Sequence, residues 1–348
     1  MKKTFIKDIK ERDQVSDTFL AAKKDVGVSR TGKPYLIVRI MDSTGEMEVR
    51  VWEEAEAIAR KFDKDDIVLV KGYAVAYQGG LQVNATDVAA VSGEGEGSLR
   101  DYLPASVRPP GEMMAELDGV IAGMKDAYLK RLLTGIFSDA DLRERFITAP
   151  AAKSMHHPYL GGLLEHVLSI CSLASLVTAH YKKGINKDLL TAGAILHDIG
   201  KIYELTYRRS FDYTDEGKLL GHITIGVGLI DRNIEAIPDF PEETAMLLKH
   251  MILSHHGHLE FGSPKRPKTL EAFILYYLDD LDAKVNAVSS LIENDREGGD
   301  WTPYLRLFER AVYKGGRPAP GDTAAGKGGP GSSAGGDGPE LELFKKIF

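Results

Sequence analysis

Histidine and aspartate side chains recur within or at the ends of apolar segments in the second half of the chain. Imidazole and carboxylate groups are the ordinary protein ligands of first-row divalent metals. A single histidine in such a place is more often a hydrogen-bonded core or surface residue. Several imidazoles buried together, however, each need a partner, and one shared metal ion satisfies several of them at once. The residues are His166 in GGLLEHV, His197 and Asp198 in LLTAGAILHDIGK, His222 in KLLGHITIG, His255 and His256 in MILSHHG, and Asp279 in LYYLDDLDAK. Together they predict a metal site.

The segments that carry these residues have the spacing of helices. From Glu112 to about Tyr313, apolar residues recur every three or four positions. This period is typical of amphipathic helices that share a core. Residues 112–313 are therefore predicted to form an all-α domain.

The first part of the chain alternates apolar and polar residues with period two. Five such runs, FLAAKKDVGV, YLIVRIMD, MEVRVWE, IVLVKGYAVAY and LQVNATDVAAV, lie between turn residues, and AEAIARKF between the third and fourth runs indicates a short helix. Five strands with a helix between the third and fourth are the order of an OB-fold barrel. The prediction is a multidomain chain, with an N-terminal β-barrel (an OB-fold) over residues 1–91 followed by the all-α domain.

Two segments have the composition of connectors. Residues 92–111 contain GEGEG followed by Pro104, Pro109 and Pro110, which predicts a linker. Residues 314–348 are rich in glycine, serine, alanine and proline and end in LELFKKIF. A run of that composition cannot bury a core, so it predicts a flexible tail with a short apolar end.

Composition excludes some classes of protein. A chain of 348 residues has room for two domains, and its net charge of -7 argues against gripping nucleic acid by bulk electrostatics. Bound divalent cations would reverse the local charge of a carboxylate-rich pocket. The N-terminus has no apolar run behind its basic residues, and no stretch is expected to stay apolar for the ~18 residues of a membrane span, which favours a cytoplasmic location. The single cysteine, Cys171, lies in an apolar run and is predicted to be a buried, inert thiol.

The order of the candidate ligands resembles that of the HD-domain metal-dependent phosphohydrolase superfamily. HDIGK supplies a lysine three residues after the aspartate, SHHG supplies paired histidines, and DDLDAK matches the terminal aspartate segment of that superfamily. The resemblance implies two metal ions that share Asp198. The implied ligands are His166, His197, Asp198 and Asp279 for the first ion, and Asp198, His222 and His255 for the second.

A pair of metal ions suits phosphodiester hydrolysis. Two cations about 3.5–4 Å apart clamp the attacking and leaving oxygens, and coordination lowers the pKa of water from 15.7 toward ~7. Asp198 and Lys201 are the predicted catalytic residues, because a carboxylate can use both oxygens and the ammonium one helical turn on can face a phosphate oxygen or assist the leaving group. His156, His157 and His256 are candidates for contact with substrate phosphate, with capping or surface roles as well supported for the first two.

The β-rich domain suggests the substrate. An OB-fold binds single-stranded nucleic acid along one sheet face, through stacking aromatics and nearby cations. Tyr35, Arg50 and Trp52 are candidates for this contact, although about half of the aromatics on any small barrel fill its interior.

The combination of an N-terminal OB-fold and an HD domain containing HHPYLGGLLEH is similar to the YhaM-type 3'-5' exoribonucleases over about residues 13–313. This resemblance implies hydrolysis of single-stranded RNA from its 3' end to nucleoside monophosphates, with single-stranded DNA as a further substrate that fits the same chemistry. It also implies two divalent metal ions per active site, manganese first and magnesium or iron(II) as alternatives, a homo-oligomer, and no membrane partner. The glycine-rich stretch after Lys314 is not expected of the family.

Two alternatives stay open at this point. The first is an HD phosphodiesterase or nucleotidase that acts on a small nucleotide, with the barrel serving regulation or assembly, and the acidic charge balance favours it mildly. The second is a nucleic-acid-binding protein whose HD domain is inactive, against which the intact ligand set argues. Analysis of the reaction products separates all three.

Overall fold

The computed structural model describes residues 2–29, 31–77, 80–91, 99–153, 157–181, 183–207, 211–295, 299–305 and 308–315. The chain divides into two compact units, Met1–Ala287 and Val288–Phe348. The first unit holds the β-rich part and the helices that carry the candidate ligands.

Five strands form a closed barrel in the order β1-β2-β3-β5-β4, with β4 pairing back to β1. The β3–β5 pair is parallel and the other pairs are antiparallel. In β2, Leu36, Val38 and Ile40 are buried and alternate with more exposed residues, so one side of the strand fills the barrel interior. The strands and the helix between β3 and β4 are β1 (Gln14–Val28), β2 (Pro34–Asp42), β3 (Gly45–Val51), α1 (Ala55–Ala59), β4 (Ile67–Tyr77) and β5 (Gly80–Ala90). This confirms the predicted OB-fold barrel.

Ten further helices follow the barrel in the described part of the chain. They are α2 (Leu99–Tyr102), α3 (Pro110–Ala122), α4 (Ala127–Ser138), α5 (Ala140–Thr148), α6 (Gly162–His180), α7 (Lys187–Leu196), α8 (Lys201–Glu204), α9 (Asp215–Glu235), α10 (Glu242–Ser254) and α11 (Leu270–Asn294). Side-chain caps fix four of the starts: Asp126 accepts from two backbone N–H groups of α4, Asp139 from one of α5, Asn186 from one of α7 and Thr214 from one of α9. The domain is helical as predicted, apart from two short paired strands, β6 (Leu205–Thr206) and β7 (Asp212–Tyr213).

Helix α6 runs through the core of the helical part. Its apolar stretch is longer than the sequence analysis expected, because an 18-residue window has a mean hydropathy of 1.5, enough by length and composition to cross a membrane. Half of that window is nevertheless buried inside the protein, against residues of the neighbouring helices. The helix also carries buried polar His166. These features are those of a core helix. Cys171 on the same helix is buried, and burial raises the pKa of its thiol to about 12, as expected of an inert residue.

Part of the predicted linker packs between the barrel and the helices. Tyr102 and Leu103 are buried in a small cluster with Leu20 of β1 and Leu160, and the hydroxyl groups of Tyr102 and Thr18 lie 2.8 Å apart. Residues 92–98 lie outside the described residues. The helical domain begins at Pro110, inside the range predicted as linker.

The second unit, taken by itself, contains a small folded segment after α11. The rings of Trp301 and Tyr313 lie with their centroids 5.1 Å apart, and the two residues form a β-bridge. Lys314 pairs with Asp295 at 2.8 Å. Apart from Lys314 and Gly315, the predicted tail and its apolar end lie outside the described residues.

Candidate metal centre

Five helical segments bring the candidate ligands to one place in the helical domain. The ligands are His166 on α6, His197 and Asp198 at the end of α7, His222 on α9, His255 directly after α10, and Asp279 on α11. His166, His197 and His255 are fully buried or nearly so, and Asp198 is 1% exposed. Buried imidazoles and carboxylates at such density need close partners.

Four of these side chains point their ligand atoms at a common centre. Nε2 of His166 lies 3.3 Å from Nε2 of His197, 3.2 Å from Oδ1 of Asp279 and 3.7 Å from Oδ2 of Asp198. Nε2 of His197 lies 3.3 Å from Oδ2 of Asp198 and 3.7 Å from Oδ1 of Asp279. Donor atoms about 2.1 Å from one cation lie roughly 3 to 3.5 Å from one another. The four atoms therefore fit a divalent cation.

The other oxygen of Asp198 faces a second set of ligands. Its Oδ1 lies 3.4 Å from Nε2 of His222 and 3.6 Å from Nε2 of His255. These three atoms are buried, and none of them makes a hydrogen bond to a described residue. Three unsatisfied polar atoms converging in one place are costly unless a cation or water joins them. The donor set fits a second cation and makes Asp198 the residue that both sets share.

Each ligand histidine has its other ring nitrogen occupied. Nδ1 of His197 lies 2.9 Å from the carbonyl oxygen of Ala194, and Nδ1 of His255 lies 2.8 Å from that of Ile252. A carbonyl oxygen accepts only, so each Nδ1 carries the proton and donates it. The lone pair of each Nε2 is then available for a metal.

Carboxylates occupy the same place behind the other two imidazoles. Nδ1 of His166 lies 2.7 Å from Oδ2 of Asp282, and Nδ1 of His222 lies 3.0 Å from Oε1 of Glu204. Asp282 also accepts from the Ser169 hydroxyl. A carboxylate behind a metal-binding imidazole fixes its orientation and increases its basicity.

The HDIG turn is held against α9 by close backbone contact. A Cβ atom at Gly200 would lie 2.0 Å from the carbonyl oxygen of His222 and 2.8 Å from the amide nitrogen of Gly226. At Gly221 the backbone of α9 is kinked, with φ of 72°, a conformation that favours glycine. Glu204 then accepts from the backbone N–H of His222 at 2.9 Å. These contacts bring the second half of α9, with His222 at its start, against the turn that carries Asp198.

Lys201 lies against the shared carboxylate. Its ammonium donates to Oδ2 of Asp198 at 2.6 Å, and the side chain is buried. The sequence analysis expected this ammonium to face a phosphate oxygen, and in the structure its partner is Asp198. It therefore supplies a buried positive charge next to both ligand sets.

The pKa values of the cluster follow from these contacts. Burial opposes the charged form of Asp198, but Lys201 and His197 outweigh it and hold the pKa of the carboxyl well below its usual value. Burial likewise opposes charge on His166, but its hydrogen bonds to Asp279 and Asp282 outweigh this and raise its pKa to about 9 in the metal-free protein. Burial lowers the pKa of His255. The carboxylates are thus ready to bind a cation, and one proton must leave His166 for it to become a ligand.

The two described histidines among the predicted contacts to substrate phosphate, His157 and His256, lie in different environments. His256 lies beside the second set, with its ring centroid 4.3 Å from that of His255 and 5.2 Å from that of His222. His157 is buried, and its ring nitrogens lie 2.7 Å from the Tyr159 hydroxyl and 3.1 Å from Asp282. This disagrees with a contact to substrate phosphate, since both nitrogens are already occupied. His156 lies outside the described residues.

The three barrel candidates lie together on the outside of the barrel. The rings of Tyr35 and Trp52 are stacked, with centroids 5.0 Å apart and an angle of 20° between the planes. The guanidinium of Arg50 lies 5.8 Å from the Trp52 ring and 5.0 Å from the ring of Tyr77. Trp52 and Tyr77 are each 46% exposed. These four residues form an aromatic and cationic surface suited to bases and phosphates.

Sequence analysis missed the supporting residues Glu204, Ser169 and Tyr159. Asp282 lies behind His166, with its Oδ2 2.7 Å from Nδ1 of that imidazole. Glu204 is three residues after Lys201 in HDIGKIYE, and that short spacing from the motif is the one sequence signal that could have found it. Nothing in the sequence connects Ser169 or Tyr159 to the site.

The comparisons with known proteins identify the same two domains. The HD domain family matches residues 163–284, and an OB-fold nucleic acid binding domain matches residues 20–91. The chain is 34% identical to the 3'-5' exoribonuclease YhaM of Bacillus subtilis (strain 168), over 87% of this chain and 95% of that protein. It is 35% identical to the 3'-5' exoribonuclease YhaM of Geobacillus sp. (strain WCH70), over 87% of this chain and 92% of that one.

Among solved structures, a match to this chain is the second OB-fold domain of replication protein A from Methanococcus maripaludis. That match has 17% identity and a TM-score of 0.22, and it covers 27% of this chain and 98% of the other.

Proposed function

This chain belongs to the YhaM family of 3'-5' exoribonucleases, and from that premise we propose that it hydrolyses single-stranded RNA to nucleoside monophosphates at a two-metal centre on the HD domain. The observation that carries the proposal is the position of Asp198, whose two oxygens face two separate ligand sets. The first cation would be held by His166, His197, Asp198 and Asp279, and the second by Asp198, His222 and His255. Manganese is the proposed metal for both.

Bound divalent cations would supply Lewis acidity and a hydroxide at neutral pH. The chain's own residues do the positioning. The backbone carbonyls, Asp282 and Glu204 hold the imidazoles in fixed orientations, so the ligand atoms do not reorganise during the reaction. We propose that Lys201, held against Asp198, stabilises the negative charge that develops on the phosphate.

The barrel would bind the RNA upstream of the 3' end that reacts. Tyr35, Trp52 and Tyr77 offer ring faces for bases, and Arg50 lies among them with its own partner Glu48 at 2.7 Å. Stacking on aromatic faces is tolerant of sequence, as an exonuclease that shortens varied transcripts requires.

Trp52→Ala tests this part of the proposal. Removing one stacking surface costs about 1–3 kcal/mol per base, so we expect KM for single-stranded RNA to rise roughly tenfold with little change in kcat. The side chain is 46% exposed, so the barrel core remains intact. Tyr181→Ala is the matched control, because Tyr181 is an exposed aromatic residue at the end of α6. Equal KM values for the two variants would count against the barrel surface.

The activity itself is tested with 5'-labelled RNA carrying a single-stranded 3' end. We expect stepwise shortening of the labelled RNA in the presence of manganese. A chelator should abolish the products, because hydrolysis requires cations bound by the ligand residues. Products are resolved by length. Uniform internal cuts would contradict attack from the 3' end.

The same experiment separates the alternatives. Cleavage of mononucleotides or cyclic nucleotides without shortening of RNA would indicate a small-nucleotide phosphodiesterase. RNA binding with no metal-dependent hydrolysis would indicate a binding protein with an inactive HD domain.

Three further parts of the proposal rest on the resemblance and on general chemistry. Single-stranded DNA has the same phosphodiester linkage and is a proposed secondary substrate. A homo-oligomer and a cytoplasmic location complete the proposal.

A further inference from the structure

A basic loop, residues 263–269, packs back along α10. Its backbone is fixed at both ends of the contact, because the N–H of Lys265 donates to the carbonyl oxygen of Leu253 at 3.2 Å and the N–H of Lys268 donates to Nε2 of His250 at 2.9 Å. The Ser263 hydroxyl donates to the same Leu253 oxygen at 3.1 Å. Pro264 and Pro267 restrict the loop further. The loop therefore presents its side chains from a preorganised backbone.

Three cations project from this loop without an anionic partner. Lys265, Arg266 and Lys268 are exposed, and none of them forms an ion pair with a described residue. The neighbouring Lys249 differs, since it pairs with Asp231 at 2.8 Å. Three unpaired cations within four residues are a local positive field on a chain whose net charge is -7.

The loop borders a groove with an apolar floor. The groove has a volume of about 510 Å³ and lies between α9, α10 and the loop. Val227, Met246 and Leu253 supply apolar surface. The charged residues that line the groove are Lys249, Lys265, Lys268 and Asp231, the last of which is paired with Lys249. Met246 is 60% exposed. Apolar surface for a base beside cations for a phosphate is the chemistry that a nucleotide unit requires.

The groove and the metal centre share α10 but lie on different faces of it. Met246, Lys249, His250 and Leu253 line the groove from one face, and at about 100° per residue His255 lies roughly on the opposite face. This helix ends at Ser254, and His255 and His256 follow it directly. With a rise of about 1.5 Å per residue, His250 is about 7.5 Å from His255 along the helix axis. The loop leaves the metal centre after His258 and returns past Leu253 toward His250, so its cations follow the helix away from the centre.

We propose that this groove holds a nucleotide of the RNA chain upstream of the 3' end that reacts, with its base on the floor and its phosphate at Lys265, Arg266 and Lys268. The inference rests on the proposed exoribonuclease activity. It adds a subsite on the HD domain, separate from the barrel surface, that favours RNA chains over single nucleotides.

The test is the combined variant Lys265→Ala, Arg266→Ala and Lys268→Ala, assayed with manganese on a long oligoribonucleotide and on a dinucleotide. We expect KM for the long RNA to rise roughly tenfold with kcat retained. KM for the dinucleotide should rise much less, because a dinucleotide is too short to span the groove and the metal centre. The slope of log KM against log salt should fall by about 0.7, since the loop is proposed to neutralise one phosphate of a single strand.

A matched control removes three exposed cations elsewhere: Lys125→Ala, Arg131→Ala and Lys187→Ala on and beside α4 and α7. It carries the same change of net charge and should keep the parent KM and salt slope. Met246→Glu is an independent variant, which places a carboxylate on the apolar floor and should also raise KM for long RNA.

The outcomes separate this inference from the proposed function. If the parent protein does not shorten RNA, the proposed function fails. If the parent protein shortens RNA, two results would refute the subsite inference alone. The loop variant could keep the parent KM and salt slope, or its KM for long RNA could rise no more than that of the charge control. Binding of a free nucleoside monophosphate that depends on the loop, with unchanged KM for RNA, would overturn the assignment to the RNA chain.

Discussion

Asp198→Asn is expected to lower kcat for RNA hydrolysis by on the order of 10³-fold or more. The carboxylate has one oxygen in each ligand set, at 3.3 Å from His197 and 3.4 Å from His222. An amide keeps the shape but offers one neutral oxygen and an NH₂ group that repels cations. Because metal ions contribute several kcal/mol to the stabilisation of the transition state, losing the shared ligand removes at least three orders of magnitude. Steady-state kinetics under manganese measure the loss, with metal content determined on the same samples.

Asp280→Asn is the matched control for this variant. Asp280 neighbours Asp279 on α11, but it pairs with Lys284 at the surface, at 2.8 Å. The same chemical change there should leave kcat within a small factor of the parent. RNA binding by Asp198→Asn should persist, since the barrel surface is untouched. Parent-like kcat together with reduced metal content would show that the shared carboxylate is not needed for the chemistry.

Gly200→Ala should destabilise the protein by about 3 kcal/mol or more and reduce its metal content. The backbone of Gly200 has φ of -64° and ψ of -18°, which alanine adopts readily, so conformation is not the obstacle. The obstacle is space, since the added Cβ would lie 2.0 Å from the carbonyl oxygen of His222. Relief requires α9 to move away from the HDIG turn, and His222 moves with it. Urea unfolding and metal analysis measure the two effects.

Gly226→Ala tests the steric argument from the other side of the same contact. A Cβ there meets its nearest neighbours at 3.5 and 3.6 Å, which is ordinary contact. Alanine in a helix interior is favoured over glycine by about 0.5–1 kcal/mol. This variant should therefore be as stable as the parent or slightly more stable. If both substitutions destabilised the protein equally, α9 would tolerate no change along this face. That result would contradict the claim that Gly200 in particular must lack a side chain.

The sequence was sufficient to predict the two folds and to select candidate ligands whose side chains converge in the structure. Period two followed by period three to four separates the barrel from the helices, because each period records which face of an element is buried. The ligand set could be predicted because a metal site needs particular side-chain types, and His197-Asp198, His222, SHHG and DDLDAK stand out in apolar surroundings. The closed barrel and the convergence of those side chains agree with that analysis.

Other features depend on contacts between residues far apart in the chain. The sequence does not show that Trp52 and Tyr35 stack on the outside of the barrel, because strand register decides which face each residue takes. Nor does the sequence show that the helical turn brings the ammonium of Lys201 onto Asp198. The sequence also does not show that His157, a candidate for substrate contact, is enclosed by Tyr159 and Asp282.

The sequence alone therefore determined the two domain types and the candidate metal ligands, since residue types and their periodicity are local properties of the chain. Only the tertiary structure decided how the site is held: which nitrogen of each histidine faces the centre, that Glu204 and Asp282 stand behind two of them, and that Gly200 must remain without a side chain. These are distances between separate helices. They are set by the packing of the whole core, in which a shift of one helix moves every ligand that it carries.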